Sequence, residues 1–195
     1  MIPVPRDAAA GRTGARQDAG RESATSWALA ARDGDPLAQA AFVRATQVEV
    51  WRFTAALVDP DDADDLTQET YLRAFRALPS FQGRSSVRTW LLGIARRACA
   101  DHLRTVVRRR RLDERLAADA HTAHPHPDPA GQLGAADLVR QLPAERRGAF
   151  VLTQLLGLSY AEAAAVEGVP VGTIRSRVAR ARTDLVDAVG DALAG

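Results

Sequence analysis

Lysine and asparagine are absent from this 195-residue chain, and cysteine occurs once, at Cys99. A single thiol excludes an internal disulfide and any zinc site built from several cysteines, and it fits a reducing cytoplasm. Aromatic residues make up only 5% of a chain that is 46% hydrophobic, so the core must be assembled mainly from Leu, Val and Ala. No apolar run is long enough to span a bilayer, and the N-terminus lacks the apolar segment of a secretory signal, so no membrane insertion is expected. No segment alternates with a period of two, which argues against strands. With lysine missing, all 26 basic residues are arginines, set against 24 acids for a net charge of +2. A GC-rich genome explains the bias. Its physical consequence is a planar, bidentate fork suited to guanine and phosphate, which lysine cannot offer.

What is present is helical. Residues 1–25 are mostly Ala, Gly, Arg and Asp, too polar to bury a core, and are expected to form a disordered tail. Four helices are predicted over Trp27–Arg32, Leu37–Val58, Ala63–Leu78 and Val87–Val106, separated by Gly34-Asp35-Pro36, Asp59-Pro60 and the loop Pro79–Ser86. Residues 108–134 begin with an arginine run and become rich in Ala, His, Pro and Gly, which reads as a linker with room for a frayed helix at its start. His121, His124 and His126 in it lack the further ligands of a tetrahedral metal shell, and no metal is expected there. Residues 135–190 form a second unit of short helices. The fold class is therefore all-α, two small helical domains on a flexible linker: residues 26–107 and 135–190.

The strongest local signal is LSYAEAAAVEGVPVGTIRSRVARAR, Leu158–Arg182. Ser159 with Glu162 makes a capping box, Gly168 suits a left-handed helix end, and Pro170 suits the entrance to the next helix. In that second helix Ile174, Val178, Ala181 and Leu185 share one stripe, and Arg175, Ser176, Ala179 and Arg180 point away from it. Arg177 and Arg182 lie near the stripe's edges, where side chains reach phosphates more naturally than base edges. This is the layout of a helix-turn-helix whose second helix enters the DNA major groove.

Two further helices complete the pattern. In Asp59–Leu78, Leu66, Tyr71, Ala74, Phe75 and Leu78 make an apolar face, and Asp65, Gln68, Glu69 and Arg76 lie opposite with Leu72 among them. A large aliphatic side chain inside an acidic face suits a protein-docking surface. The Asp59–Asp61 start lacks the later ligands of a calcium loop. In Val87–Val106 the core stripe is Val87, Leu91, Ile94 and Ala98 with Trp90 at its edge, and Thr89, Arg96, Arg97 and Arg104 lie on the other side. From Phe81 to Arg111 nine arginines face one acid, Asp101, an electrostatic footprint for a phosphate backbone. The loop PSFQGRSS before it has the small, polar and glycine positions that can shape a pocket for an unstacked base.

DDLTQETYLRAFRAL, then RTWLLGIARRACADHLR, then LSYAEAAAVEGVPVGTIRSRVARAR resemble, in this order and at these distances, a bacterial sigma factor of the extracytoplasmic-function class. The resemblance spans residues 26–190. It implies core RNA polymerase and promoter DNA as partners, with an anti-sigma factor as a further one. It places Asp65, Gln68, Glu69 and Leu72 on the face that docks on the polymerase. It assigns the minus-10 element to Ser80, Gln82, Gly83, Arg84 and Ser85 of the loop and to Arg88, Thr89, Trp90, Arg96, Arg97 and Arg104 of the helix after it. It assigns the minus-35 element to Thr173, Arg175, Ser176, Arg177, Ala179, Arg180 and Arg182. The chain departs from the family at Arg97, where members often carry Asn. An autonomous helix-turn-helix regulator is the alternative, but it leaves the acidic helix and the first arginine cluster without a role. An enzyme is not expected: no paired His and carboxylate motif, nucleophile elbow or phosphate loop appears, and no cofactor, catalytic residue or small-molecule substrate is assigned.

Overall fold

Two aspartate-proline steps begin two of the long helices of the first unit. Asp35 accepts a hydrogen bond from the Leu37 amide at 2.9 Å and Asp59 accepts from the Asp61 amide at 3.2 Å. Each is followed by a proline whose missing N–H costs nothing in a first turn. The computed structural model describes residues 24–120 and 134–194, and all regular structure among them is helical. Helix α1 covers residues 24–32, α2 Pro36–Leu57 and α3 Pro60–Ala77; a 3-10 turn, Leu78–Ser80, and an open loop lead to α4, Val87–Ala120.

Helices α2, α3 and α4 pack pairwise around Phe42, Phe53, Val50, Val87, Leu91 and Leu92, all fully buried. Burial of each is worth about 1.5–3 kcal/mol. Phe42 meets Tyr71 and Phe75 edge-on, at centroid distances of 6.2 and 6.3 Å. The Tyr71 hydroxyl lies 2.7 Å from Thr46 Oγ1, and burial pushes its pKa up to about 12. Most of the chain's few aromatics lie in this unit, Phe42, Phe53, Tyr71 and Phe81 among its buried residues.

The second unit is smaller. Helices α5 (Ala135–Gln141) and α6 (Ala144–Phe150) lead through a π-helical turn, Val151–Leu155, to α7 (Tyr160–Glu167) and α8 (Val171–Ala194). The Ser159 amide donates to Glu162 Oε2 at 2.9 Å, and Ser159 Oγ accepts from the Glu162 amide at 3.2 Å, the expected reciprocal cap. Gly168 ends α7 at φ +68°. Ile174, Val178 and Ala181 are buried, and Leu185 is half-buried.

Three features differ from expectation. Residues 24 and 25, placed in the tail, already belong to α1. Helix α4 does not end near residue 107 but continues through the arginine run to Ala120. Arginine is a good helix former, and no glycine or proline interrupts the chain between Gly93 and Pro125. The three linker histidines lie outside the described residues. Lastly, the two units touch: α4 packs on α7, and α2 packs on α5, α6 and the π turn.

Candidate nucleic-acid interface

The loop before α4 turns at Gly83, whose φ of +68° is the left-handed conformation that side chains disfavour. Ser80, Gln82, Gly83, Arg84 and Ser85 are exposed. Phe81 is buried, its ring 4.9 Å from that of half-buried Trp90 at an interplanar angle of 44°. Ser80, Phe81, Gln82, Arg84, Ser85 and Trp90 line a pocket of about 260 Å³. Aromatic rings beside amide, hydroxyl and guanidinium groups are suited to stacking on and hydrogen-bonding a single unpaired base. Ser86 Oγ accepts from the Thr89 amide at 3.1 Å and lies 2.9 Å from its hydroxyl, fixing the first turn of α4 against the loop.

The arginines that follow are not equally free. Arg97 and Arg104 are exposed, Arg104 paired with Asp101. Thr89 is buried. The Arg88 side chain is only 9% exposed; its Nε donates to both carboxylate oxygens of Glu49 at 2.7 Å, and its Nη2 donates to Glu49 and to the Leu156 carbonyl. Its Nη1 is buried without a partner. Arg96 donates through Nε and Nη2 to Glu167 Oε2, each at 3.1 Å, and the Glu167 side chain is 3% exposed. Two arginines expected on an open DNA face are therefore held in the seam between the units. Wheel geometry gives the side a residue faces but not what a distant segment places there.

Helix α8 presents Arg175, Ser176, Ala179 and Arg180 to solvent, as the stripe of buried residues requires, with Thr173 half-buried. Ser176 Oγ donates to the Thr173 carbonyl at 2.9 Å. Arg177 departs from expectation: its side chain is 15% exposed, with Nη2 2.6 Å from Glu145 and Nη1 3.7 Å from Glu167. It braces α6 and α7 rather than reaching outward. Arg182 is exposed and donates to Gln154 Oε1 at 2.7 Å.

On α3, Asp65 and Gln68 are exposed and Leu72 is 53% exposed. Glu69 is partly engaged, accepting from Arg73 Nε at 2.8 Å. Arg73 also donates to Asp101 at 2.7 Å; these two hydrogen bonds raise the Arg73 pKa, and those from Arg73 and Arg104 lower that of Asp101. Leu66, Tyr71, Ala74 and Leu78 are buried beneath this face, and Arg73 ties its Glu69 to Asp101 of α4.

Sequence reasoning missed Glu49, Leu156 and Glu167. Only Glu167 carried a signal: an acid at the last position of a helix sits against the negative end of the helix dipole and needs a cation to hold it. Arg96 and Arg177 supply that. Gly148 supplies the space, since a Cβ there would lie 2.7 Å from Glu167 Oε1.

Comparison with known proteins follows the same division. Residues 42–111 match the family described as Sigma-70 region 2, and residues 134–185 match Sigma-70, region 4. A probable RNA polymerase sigma-C factor of Mycobacterium bovis is 52% identical over 181 residues, covering 89% of this chain and 96% of the relative. The ECF RNA polymerase sigma-E factor of Haemophilus influenzae is 33% identical over 176 residues, covering 83% and 93%. Among solved structures, CnrH in complex with the cytosolic domain of CnrY is alike in fold, with a TM-score of 0.65 at 24% identity over 87% of this chain and 98% of that one. The sigma factor RpoE of Bartonella quintana, in complex with the anti-sigma factor NepR, gives a TM-score of 0.58 at 29% identity over 76% and 94%.

Proposed function

The chain belongs to the extracytoplasmic-function sigma factors, the initiation subunits that bind core RNA polymerase and promoter DNA, and from that premise we propose a division of labour among its surfaces. The first domain, residues 26–107, docks on core polymerase through Asp65, Gln68, Glu69 and Leu72 and captures the melted minus-10 strand. The second, residues 135–190, reads the minus-35 element with Arg175, Ser176, Ala179 and Arg180 in the major groove, and Arg182 reaches the adjoining phosphate.

The observation that carries this reading is the loop pocket beside Phe81 and Trp90. Extruding one base costs about a few kcal/mol of stacking and pairing, and a pocket that stacks on it and satisfies its edge offsets part of that cost. Arg97 and Arg104 then line the path of the strand. Arg88 and Arg96 join them only when the seam opens and Glu49 and Glu167 give way to phosphates. The chain contributes no catalytic group; the polymerase performs the chemistry. An anti-sigma factor, of the kind bound to the Bartonella relative, is a further partner.

Transcription in vitro with purified core polymerase, followed by mapping of start sites, tests the function as a whole. Charge reversal at Asp65 and Glu69 is expected to abolish holoenzyme formation in a sizing assay. Undiminished assembly of that variant would remove the docking face from the proposal.

A further inference from the structure

An apolar cavity of about 450 Å³ lies in the seam, with Trp51 and Ala56 of α2 on one wall and Val139 of α5 and Leu155 of the π turn on the other. Its volume falls in the range of small-molecule sites. The charged residues among its lining are Arg52 and Arg140, both cationic. Arg140 pairs with Asp137, whereas Arg52 has no ion-pair partner among the described residues. Next to Arg140 stands Arg147, half-buried and without an ion-pair partner there, its Nε buried and unbonded. Burial first, then the charge of Arg140, lowers the Arg147 pKa. Of the nearby carboxylates, Asp137 accepts from Arg140 and Asp64 from the Trp51 indole N–H at 2.7 Å, while Asp59 and Asp61 flank the lining Pro60 without entering the lining. The lining itself is apolar apart from two guanidinium groups, a pairing that suits an anion on an apolar body.

We propose that this seam cavity binds a small amphiphilic carboxylate, its hydrocarbon portion between α2 and α5 and its carboxylate at Arg52 and Arg140. Because the walls come from both units, an occupant favours the closed arrangement, in which Arg88 and Arg96 are engaged. That regulatory consequence rests on the promoter-binding reading above; the binding itself does not.

Decanoate is the probe. Replacing Trp27 and Trp90 by phenylalanine leaves Trp51, on the cavity wall, as the sole indole of the three in the chain. Its fluorescence is expected to change saturably with decanoate, with an affinity at least about tenfold above that for decan-1-ol, the difference one charge-assisted hydrogen bond supplies. The double variant Arg52→Ala/Arg140→Ala is expected to lose that preference. Ala56→Trp or Ala136→Trp, filling the cavity from either wall, is expected to abolish binding. Should the indole variants fold poorly, thermal unfolding of the unaltered chain gives the second readout, with decanoate raising the midpoint more than decan-1-ol. Equal affinity for the alcohol, a linear response without saturation, or binding undiminished in both filled variants would overturn the proposal. If decanoate binds but leaves promoter complexes of the holoenzyme unchanged, the ligand site stands and its regulatory role falls.

Discussion

Helix α8 leaves Arg175 and Arg180 in solvent with no carboxylate against them among the described residues, whereas helix α4 yields Arg88 and Arg96 to Glu49 and Glu167. The residue type is the same in both rows, and in both a buried aliphatic stripe runs along the helix. The difference comes from tertiary structure alone. Among the described residues nothing packs over the outer face of α8, while α2 and α7 pack on α4 and the Leu156 carbonyl meets Arg88. An arginine row is therefore a capacity for phosphate, and whether it is available depends on which acids the rest of the chain brings to it.

Removing the acid that holds Arg88 should break the contrast most severely. Glu49→Ala strands a guanidinium that is 9% exposed, and it is expected to destabilise the first unit by about 3 kcal/mol, as breaking a buried pair does; urea unfolding measures it. An unchanged midpoint would mean that Arg88 is in water and the seam is open in solution. On α8, Arg175→Ala and Arg180→Ala should each cost about 1–3 kcal/mol of discrimination at the minus-35 element. Promoter titrations with intact and scrambled upstream elements would show the loss on the intact element only, with holoenzyme assembly preserved.

A gentler intervention sharpens the comparison. Glu167→Gln keeps the side chain's shape but releases Arg96, and is expected to reduce stability by about 1 kcal/mol because Arg96 remains a third exposed. Distances between spin labels on α4 and α8 should broaden in that variant; an unaltered distribution would show that the ion pair does not hold the seam. The smallest effect is expected at Asp101, whose carboxyl is held below the usual range by Arg73 and Arg104. A depressed carboxyl stabilises the fold above its unfolded pKa, and that contribution is lost as pH falls through the folded value. Asp101→Asn should therefore flatten the acid limb of the stability profile and change neutral stability by about 0.5 kcal/mol or less.

The parts legible in the sequence were those that local chemistry specifies. The Ser159–Glu162 cap, the left-handed Gly168 and the buried run Ile174, Val178 and Ala181 required only spacing and residue type. The exposure of Leu72 beside Asp65 and Gln68 was equally plain, because spacing on one helix decides it. The seam was not legible, since Arg88 meets Leu156 across 68 positions and Arg96 meets Glu167 across 71, with no periodicity to announce either. The extension of α4 was only partly legible: an arginine run looks like a solvated linker with a frayed helical start by composition, yet nothing in it breaks a helix.

The close approach of Gly148 to Glu167 has an evolutionary reading. With only 2.7 Å between a notional Cβ and the carboxylate oxygen, a side chain at 148 would push the Glu167 carboxylate out of its present position. A lineage that gains a methyl group at 148 is expected to move or lose the acid at 167, and with it the grip on Arg96. Across descendants of this chain the two positions should therefore change together, and lineages keeping glycine and glutamate should be those whose halves still close on one another.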